Sequence, residues 1–229
     1  MIARLRDRTE AGQRLAAQLK SYANRGDVLV LALPRGGVPV AFEVAKTLGV
    51  PLDVFIVRKL GVPGHEELAM GAIASGGARV INEGVVRSLG IPESAIERVA
   101  AREEREIERR ERAYRGNRPR IDPAGKTIIL VDDGLATGAT VRAAVEALRS
   151  SGPARVVVAA GVGAADTCAA LARVADECVC VIEPPDLHAI SLWYEDFSQT
   201  EDEDVRDLLD EASRAPRPAA RADGATPPR

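Results

Sequence analysis

The residues best suited to chemistry lie in one stretch, Val131-Asp-Asp-Gly-Leu-Ala-Thr-Gly-Ala-Thr140. Its two adjacent carboxylates, Asp132 and Asp133, can accept hydrogen bonds from vicinal hydroxyls. The small, Gly- and Thr-rich turn that follows can present backbone amides to a phosphate. The alternative interpretation is a plain strand-to-helix turn whose Asp and Thr side chains only cap the helix. The first interpretation predicts a cradle for a ribose phosphate.

The elements around this stretch are those that such a cradle needs. The β-branched run Thr127–Val131, bounded by Gly125 and Gly134, is typical of a buried parallel strand. From Thr140 onward, apolar residues recur at helical spacing, so a helix is expected to follow the turn. The N-terminus of that helix would then point at the bound phosphate.

Apolar strands alternate with helical patterns along the rest of the chain. The predicted strands are 28–33, 53–57, 126–131, 155–162 and 177–182, and the predicted helices include 9–22, 38–48 and 164–174. This alternation predicts an α/β fold, a three-layer αβα sandwich around a parallel, Rossmann-like sheet. Ligands of such sheets bind beyond the carboxyl ends of the strands, which places segments 34–37, 58–59 and 132–140 at one edge.

The string VDDGLATGAT resembles the 5-phosphoribosyl-1-pyrophosphate (PRPP) signature of type I phosphoribosyltransferases, in which two acidic residues precede a T-G-x-T turn. The resemblance implies that Asp132 and Asp133 are catalytic residues that bind the ribose hydroxyls. It also implies Mg²⁺ as cofactor, held mainly through substrate and water, with the same two carboxylates as candidate further ligands. The residues expected to surround the 5′-phosphate are Ala136, Thr137, Gly138, Ala139 and Thr140.

A second Gly-rich loop, Leu33-Pro-Arg-Gly-Gly-Val38, directly follows the first predicted strand. Adjacent glycines allow backbone amides to approach an anion closely, and Arg35 adds a fixed positive charge. The loop resembles the pyrophosphate loop of the same family, where the Arg-Gly step often carries a cis peptide. By that resemblance Arg35, Gly36 and Gly37 bind pyrophosphate, whereas read alone the loop is equally an ordinary turn that opens a helix.

Arg58 and Lys59 are predicted to end the second strand and to precede a flap at about 60–83. In the family a lysine here commonly meets the pyrophosphate, so Lys59 is the first choice for that catalytic role and Arg58 the second. His65 on the flap is equally consistent with a general acid and with a solvated loop residue. Residues 70–74 and 78–81 are expected to pair as a hairpin.

The acceptor of the phosphoribosyl group is expected under a C-terminal hood at about 183–200. Trp193 and Tyr194, with Phe197, crowd this segment and could stack on a flat ring. The alternative is that these aromatics only pin the segment to the core. The small residues 159–163 are a second candidate wall. Ala136 stands where the hypoxanthine-guanine enzymes carry an Asp, so the phosphate turn provides no general base.

A long charged helix is predicted at about 92–115, with Glu-before-Arg pairs such as Glu106–Arg110 and Glu111–Arg115. Interleaved glutamates favour a solvated, salt-bridged face over a nucleic-acid surface. A regulator that senses PRPP, no longer catalyses transfer and binds nucleic acid through this helix is nevertheless the second hypothesis. A receiver-like signalling domain is a third, disfavoured because the first strand ends in Pro-Arg-Gly-Gly rather than in acidic residues.

Composition adds limits rather than a function. The chain has 229 residues and a formal net charge of −3, which gives no global reason to expect nucleic acid as a partner. With no apolar leader and no run of transmembrane length, a cytoplasmic location and no membrane partner are expected. The three cysteines, Cys168, Cys178 and Cys180, lack metal-site spacing in the sequence and are interpreted as reduced packing residues.

The expected organisation is an N-terminal helix in 1–25, a phosphoribosyltransferase domain in 26–200, and a tail in 201–229. The tail begins as a short acidic helix and ends in an Ala/Pro/Arg-rich segment expected to be disordered. The resemblance implies an enzyme that transfers the phosphoribosyl group of PRPP to a nitrogen atom of a small planar acceptor and releases pyrophosphate. It also suggests a homodimer.

Overall fold

The computed structural model describes residues 4–214. The strands in chain order are β1 (Val28–Ala32), β2 (Leu52–Val54), β3 (Val57–Val62), β4 (His65–Ala74), β5 (Arg79–Ile81), β6 (Thr127–Leu135), β7 (Arg155–Gly163) and β8 (Glu177–Ile182). The α-helices are α1 (Arg8–Gln18), α2 (Gly37–Leu48), α3 (Glu83–Leu89), α4 (Glu93–Arg115), α5 (Ala139–Ser150), α6 (Ala165–Leu171) and α7 (Asp202–Arg214). Short 3₁₀ turns occupy Lys20–Tyr22 and Ile190–Trp193.

The larger sheet has the strand order β2-β1-β6-β7-β8, and every pairing in it is parallel. Its central strands are almost entirely buried because helices cover both faces. Helices α1, α2 and α7 contribute to the core on one face, and α5 and α6 to the core on the other. The predicted three-layer α/β fold is therefore confirmed.

The predicted motif strand is correctly located but too short. β6 continues through Asp132, Asp133 and Gly134 and ends at Leu135, because Asp132 and Gly134 still pair with β7. The acidic residues thus belong to the strand rather than to the turn after it. Backbone hydrogen bonding to a neighbouring strand fixes their position more firmly than a loop would.

The predicted second strand, 53–57, is wrong in its end point. β2 stops at Val54, and Val57 begins β3 of a separate antiparallel sheet with the order β3-β4-β5. Arg58 and Lys59 therefore lie in this smaller sheet. The hairpin predicted across 75–77 does form, with Ala72 opposite Val80.

The long charged helix forms as α4, but its prediction as an exposed element is only partly right. Arg115 and Glu103 are buried. Arg115 donates to Asp53 Oδ1 at 2.6 Å and to the carbonyl of Val54 at 2.7 Å, so it fastens the end of α4 to β2. A buried charge is tolerated here because it is paired and hydrogen-bonded.

The C-terminal segment returns to the core. Tyr194 forms a bridge with Leu5, and helix α7 packs against α2 and α4 through buried Val205 and Leu209. The predicted short acidic helix is thus a 13-residue amphipathic helix. The Ala/Pro/Arg-rich segment that was expected to be disordered lies, from residue 215 onward, outside the described residues. Among residues 4–214, none of the helices is both long and apolar enough to span a bilayer.

Candidate active site

The acidic pair stands at the carboxyl end of β6, as expected. Asp132 Oδ1 accepts a hydrogen bond from the backbone amide of Asp133 at 2.9 Å. Burial of the Asp132 carboxyl and the neighbouring Asp133 carboxylate raise the pKa of Asp132 well above its ordinary value. Two carboxylates held this close therefore need a positive partner to remain ionised together.

Arg8, at the start of α1, provides that partner. Its Nε and Nη2 lie 2.9 and 2.8 Å from Asp133 Oδ2. The guanidinium also donates to the carbonyl of Ser198 at 2.7 Å and lies 4.0 Å from the centre of the Phe197 ring. Both contacts with Asp133 involve Oδ2, so Oδ1 still points away from the ion pair as an acceptor. Sequence reasoning missed Arg8, because 125 residues separate it from its partner.

The loop that joins β1 to α2 lies directly against the acidic pair. A Cβ atom at Gly36 would come within 2.0 Å of Asp133 Oδ2, and one at Gly37 within 2.6 Å of the carbonyl oxygen of Val131. The two glycines are therefore required for space, since any side chain would collide with β6. The cis peptide expected at the Arg-Gly step is found one bond earlier, between Pro34 and Arg35.

Arg35 itself extends to the C-terminal segment. Its Nη1 lies 3.0 Å from Glu201 Oε2 and 3.9 Å from Asp202 Oδ1, at the N-terminus of α7. Asp202 also accepts a hydrogen bond from the hydroxyl of Tyr114 at 2.8 Å. The cation predicted to bind pyrophosphate is thus paired with an acidic cluster that its own chain contributes.

The predicted phosphate turn is open to solvent. Ala136, Thr137, Ala139 and Thr140 are exposed, and Gly138 has a left-handed φ of 69° that turns the chain into α5. Among the described residues, the only side chain that bonds to the start of α5 is Thr137, whose Oγ1 accepts a long hydrogen bond of 3.4 Å from the amide of Ala139, and the first turn contains no acidic residue. The helix therefore directs free or weakly bonded amides and the positive end of its dipole outward, which favours an anion.

Helix α6 supports this turn from behind. Thr167 Oγ1 donates to the carbonyl of Ala136 at 2.7 Å. Thr167 and Leu171 also pack so closely against Gly138 that a Cβ atom there would lie 2.7 Å from the Thr167 methyl group. The shape of the phosphate turn thus depends on where α6 sits.

Arg58 and Lys59, which are neighbours in β3, differ in their surroundings. Arg58 pairs with the buried carboxylate of Glu103 at 2.7 Å and so serves to attach β3 to α4. Lys59 lies on the opposite face of the strand and pairs at 3.2 Å with the fully exposed Glu67. Within residues 4–214, neither cation bonds to the acidic pair or to the loop 34–37. Lys59 is the one whose side chain can be redirected.

The expectation that Tyr194 stacks on an acceptor does not fit its surroundings. The Tyr194 ring is 1% exposed, and its hydroxyl donates to the carbonyl of Asp133 at 2.7 Å through space left by Gly161. Tyr194 therefore fits the alternative interpretation, in which the aromatic residues attach the C-terminal segment to the core. Trp193 is only half-buried. The second candidate wall, residues 159–163, is also wrong, because all five residues are buried.

The fold and this site define a class of protein: an α/β protein in which an acidic strand end lies between two turns that are predicted to bind anions. The chain matches the phosphoribosyl transferase domain family over residues 1–185 and belongs to that family. The family resemblance stated for the sequence is thereby confirmed. The family fits the site, because a phosphoribosyl group presents hydroxyls and phosphates together.

Two relatives span almost all of this chain. It is 45% identical over 222 residues to the Mycobacterium tuberculosis protein Rv0571c, whose name assigns it provisionally to the phosphoribosyl transferases. That alignment covers 97% of this chain but 50% of the relative, so the chain spans about half the length of the mycobacterial protein. It is also similar to the crystal structure of TT1426 from Thermus thermophilus, with 42% identity and a TM-score of 0.80 over 91% of this chain and 98% of that one.

A more distant relative matches part of the chain. The Chloroflexus aurantiacus protein named bifunctional protein PyrR is 34% identical over 135 residues, which cover 55% of this chain and 64% of that protein.

Proposed function

We propose that this protein transfers the 5-phosphoribosyl group of PRPP to a nitrogen atom of a small planar acceptor, with release of pyrophosphate. The observation that carries the proposal is the contact between Gly36 and the Asp133 carboxylate. It brings the predicted pyrophosphate loop and the predicted hydroxyl-binding carboxylates into one site. A simple nucleotide monophosphate would need only one of the two anion-binding turns, whereas PRPP carries phosphates at both ends.

Each group of PRPP has a matching feature in the site. The ribose hydroxyls can donate to Asp132 Oδ2 and Asp133 Oδ1, neither of which accepts a hydrogen bond within the described residues. The 5′-phosphate suits the N-terminus of α5, and the pyrophosphate suits the amides of Arg35 and Gly36, which donate to no group among the described residues, whereas the Gly37 amide already donates to the carbonyl of Leu33 at 3.1 Å. Lys59 is proposed to reach the pyrophosphate when its exposed pair with Glu67 opens.

The transfer breaks the bond between ribose C1 and the pyrophosphate oxygen and forms a bond from C1 to the acceptor nitrogen. Positive charge develops on the ribose, and negative charge develops on the departing pyrophosphate. Arg35 and the loop amides would stabilise the departing charge, while the carboxylates orient the ring. The acceptor nitrogen gives up its proton to water or to the departing pyrophosphate, because the phosphate turn supplies no general base: Ala136 cannot accept a proton.

Mg²⁺ is the proposed cofactor. The two carboxylates fit it, since each has an oxygen that is unengaged within residues 4–214 and hard oxygen ligands suit this ion. When bound, Mg²⁺ would neutralise charge on the pyrophosphate. Asp132 and Asp133 are the residues that would hold it, directly or through water.

The acceptor is proposed to lie beside Trp193. This half-buried residue ends the 3₁₀ turn Ile190–Trp193 in the C-terminal segment. A homodimer is proposed from the family resemblance alone, and the cytoplasmic location remains a proposal made from the sequence.

The regulator hypothesis is the weaker alternative. It needs free arginines on α4, but several arginines of that helix are paired with carboxylates: Arg102 with Glu103, Arg109 and Arg110 with Glu106, and Arg115 with Asp53 and Glu111. A paired guanidinium has to give up its carboxylate before it can bind a nucleic-acid phosphate.

Calorimetric titration with PRPP in the presence of Mg²⁺ tests the proposal. We expect saturable binding that Asp132→Asn/Asp133→Asn abolishes. Asp166→Asn, an exposed acidic residue at the start of α6, should leave binding intact. Pyrophosphate release should then be measured with a panel of nitrogenous bases, with Trp193→Ala as the test of stacking. Equal PRPP binding by the double variant and the native chain would contradict the proposal.

A further inference from the structure

The fold brings together three cysteines that the sequence keeps apart. Cys168 lies on α6, and Cys178 and Cys180 lie two residues apart on β8, so their side chains share one face of the strand. Their three Sγ atoms lie within 4.8 Å of one another, and those of Cys168 and Cys180 are 3.0 Å apart. All three are free thiols. This juxtaposition is invisible to spacing rules, because a helix and a strand contribute the ligands separately.

The surroundings keep this space clear. Gly163, at the end of β7, lies beneath the sulfurs, and a Cβ atom there would be 2.5 Å from Sγ of both Cys168 and Cys180. Cys168 and Cys180 are buried, while Cys178 is half-exposed. The cluster thus has an apolar floor and one side that opens to solvent through Cys178.

We propose that Cys168, Cys178 and Cys180 bind a thiophilic divalent cation, with Zn²⁺ as the reference ion and water as its fourth ligand. Thiolate sulfur prefers such soft cations to Mg²⁺, which takes oxygen ligands. The half-exposed side at Cys178 gives the water its access. The site is separate from the acidic pair, and its proposal does not depend on PRPP chemistry.

The required geometry lies within reach of side-chain rotation. Zn–S bonds of about 2.3 Å place the sulfurs of a tetrahedral site about 3.8 Å apart. The closest pair must therefore open from 3.0 Å by less than ~1 Å, and the widest must close from at most 4.8 Å by about the same amount. Movements of this size need no change in the backbone positions of α6 or β8.

Charge favours a divalent ion over a monovalent one. Three thiolates around Zn²⁺ leave one net negative charge, whereas around Cu⁺ they would leave two. Uncompensated charge is costly where two of the three ligands are buried. Binding also releases the thiol protons, so affinity should increase as the pH rises from 6 to 8.

The position of the cluster gives the ion a structural role. It would connect α6 to β8, and α6 is the helix that supports the phosphate turn through Thr167. The ion would therefore hold α6 in position behind the phosphate turn, without contacting a phosphate bound by that turn.

The test uses the full-length chain, reduced and stripped of metal, titrated with Zn²⁺ in competition with a chromophoric chelator. We expect one Zn²⁺ per chain with a dissociation constant below about 1 µM. Co²⁺ in its place should show sulfur-to-cobalt charge-transfer absorption. Cys178→Ser, a change at the most accessible ligand, should weaken Zn²⁺ binding by more than ~100-fold and remove the absorption. Zn²⁺ should raise the melting temperature of the native chain but not of this variant.

A double variant of the two exposed histidines, His65→Ala/His188→Ala, is the matched control and should bind Zn²⁺ as the native chain does. Three results would overturn the proposal. These are the absence of stoichiometric binding to the reduced chain, equal affinity in native and Cys178→Ser chains, and a Cys168–Cys180 disulfide that a cytosolic glutathione buffer leaves closed. Each readout is obtained without PRPP, so failure here is distinct from failure of the proposed transferase function.

Discussion

Replacing Arg8 by Gln should destabilise the chain more than an exposed arginine of the same helix does. The Arg8 side chain is 12% exposed and that of Asp133 is 16% exposed, so solvent screens their interaction poorly. Two charge-assisted contacts of 2.8 and 2.9 Å join them. Hydrogen bonds to charged groups typically contribute about 1.5–3 kcal/mol, so we expect a loss of about 2 kcal/mol in the free energy of unfolding. For a chain of this size that corresponds to a fall of about 4–8 °C in melting temperature.

The matched control is Arg14→Gln. Arg14 is on the same helix and pairs with Glu10 at 3.6 Å, but its side chain is 42% exposed. An exposed pair at this helical spacing is worth about 0.3–0.5 kcal/mol, so the control should shift the melting temperature by no more than about 2 °C. Both variants replace the same residue type within one helix, and their difference isolates the burial of the ion pair.

Chemical denaturation of Arg8→Gln, Asp133→Asn and the double variant completes a double-mutant cycle. Arg8→Gln leaves two adjacent carboxylates without their cation, so adding Asp133→Asn should restore stability rather than reduce it further. We expect a coupling energy of about 2 kcal/mol that changes little with salt. A coupling below ~0.5 kcal/mol, or a double variant less stable than either single variant, would refute the assignment of Arg8 as the partner of the acidic pair.

Two further outcomes follow from the charges at the site. Glu201→Gln should strengthen PRPP binding by up to about 5-fold in calorimetry, because it frees Arg35 from an exposed pair worth at most ~1 kcal/mol. Glu203→Gln is the control. Unchanged affinity in Glu201→Gln would show that Glu201 does not compete with the ligand. Asp132→Asn should change how stability depends on pH. Because the pKa of Asp132 is raised in the folded chain, stability falls as the pH rises from its ordinary value of 3.8 through the raised pKa. In urea denaturation, the free energy of unfolding of Asp132→Asn should therefore rise relative to that of the native chain as the pH increases over that range. A difference between the two chains that does not change with pH would contradict this.

The parts of the site that the sequence predicts are those encoded by contiguous residues. The strand, acidic pair, Gly138 turn and helix α5 follow one another within 127–150, so local periodicity and turn chemistry are enough to place them. The hairpin across 75–77 is predictable for the same reason. The predicted strand ends too early, at residue 131, because pairing with β7 continues it through small and acidic residues as far as Leu135.

The parts that the sequence does not predict depend on distant partners. Arg8 meets Asp133 across 125 positions, and Arg115 meets Asp53 across 62. On their own helices both arginines look like ordinary surface charges. Tyr194 was expected beside a ligand, but the space beside Gly161 accepts its hydroxyl and buries its ring. No periodicity rule relates Gly161 in one strand to Tyr194, which lies 33 positions later in the chain.

The two ion pairs at the site should respond to PRPP in opposite ways. Arg8 uses only Oδ2 of Asp133, so a ribose hydroxyl can approach Oδ1 while this pair stays intact. Glu201, in contrast, competes with the pyrophosphate for the charge of Arg35, because its carboxylate lies 3.0 Å from Nη1 of that guanidinium. Because the Glu201 side chain is 60% exposed, rising salt weakens that pair more than it weakens the pair of Arg8. Salt also screens the attraction of the loop for pyrophosphate. The salt dependence of PRPP binding should therefore be shallower in the native chain than in Glu201→Gln, where the compensating pair is absent.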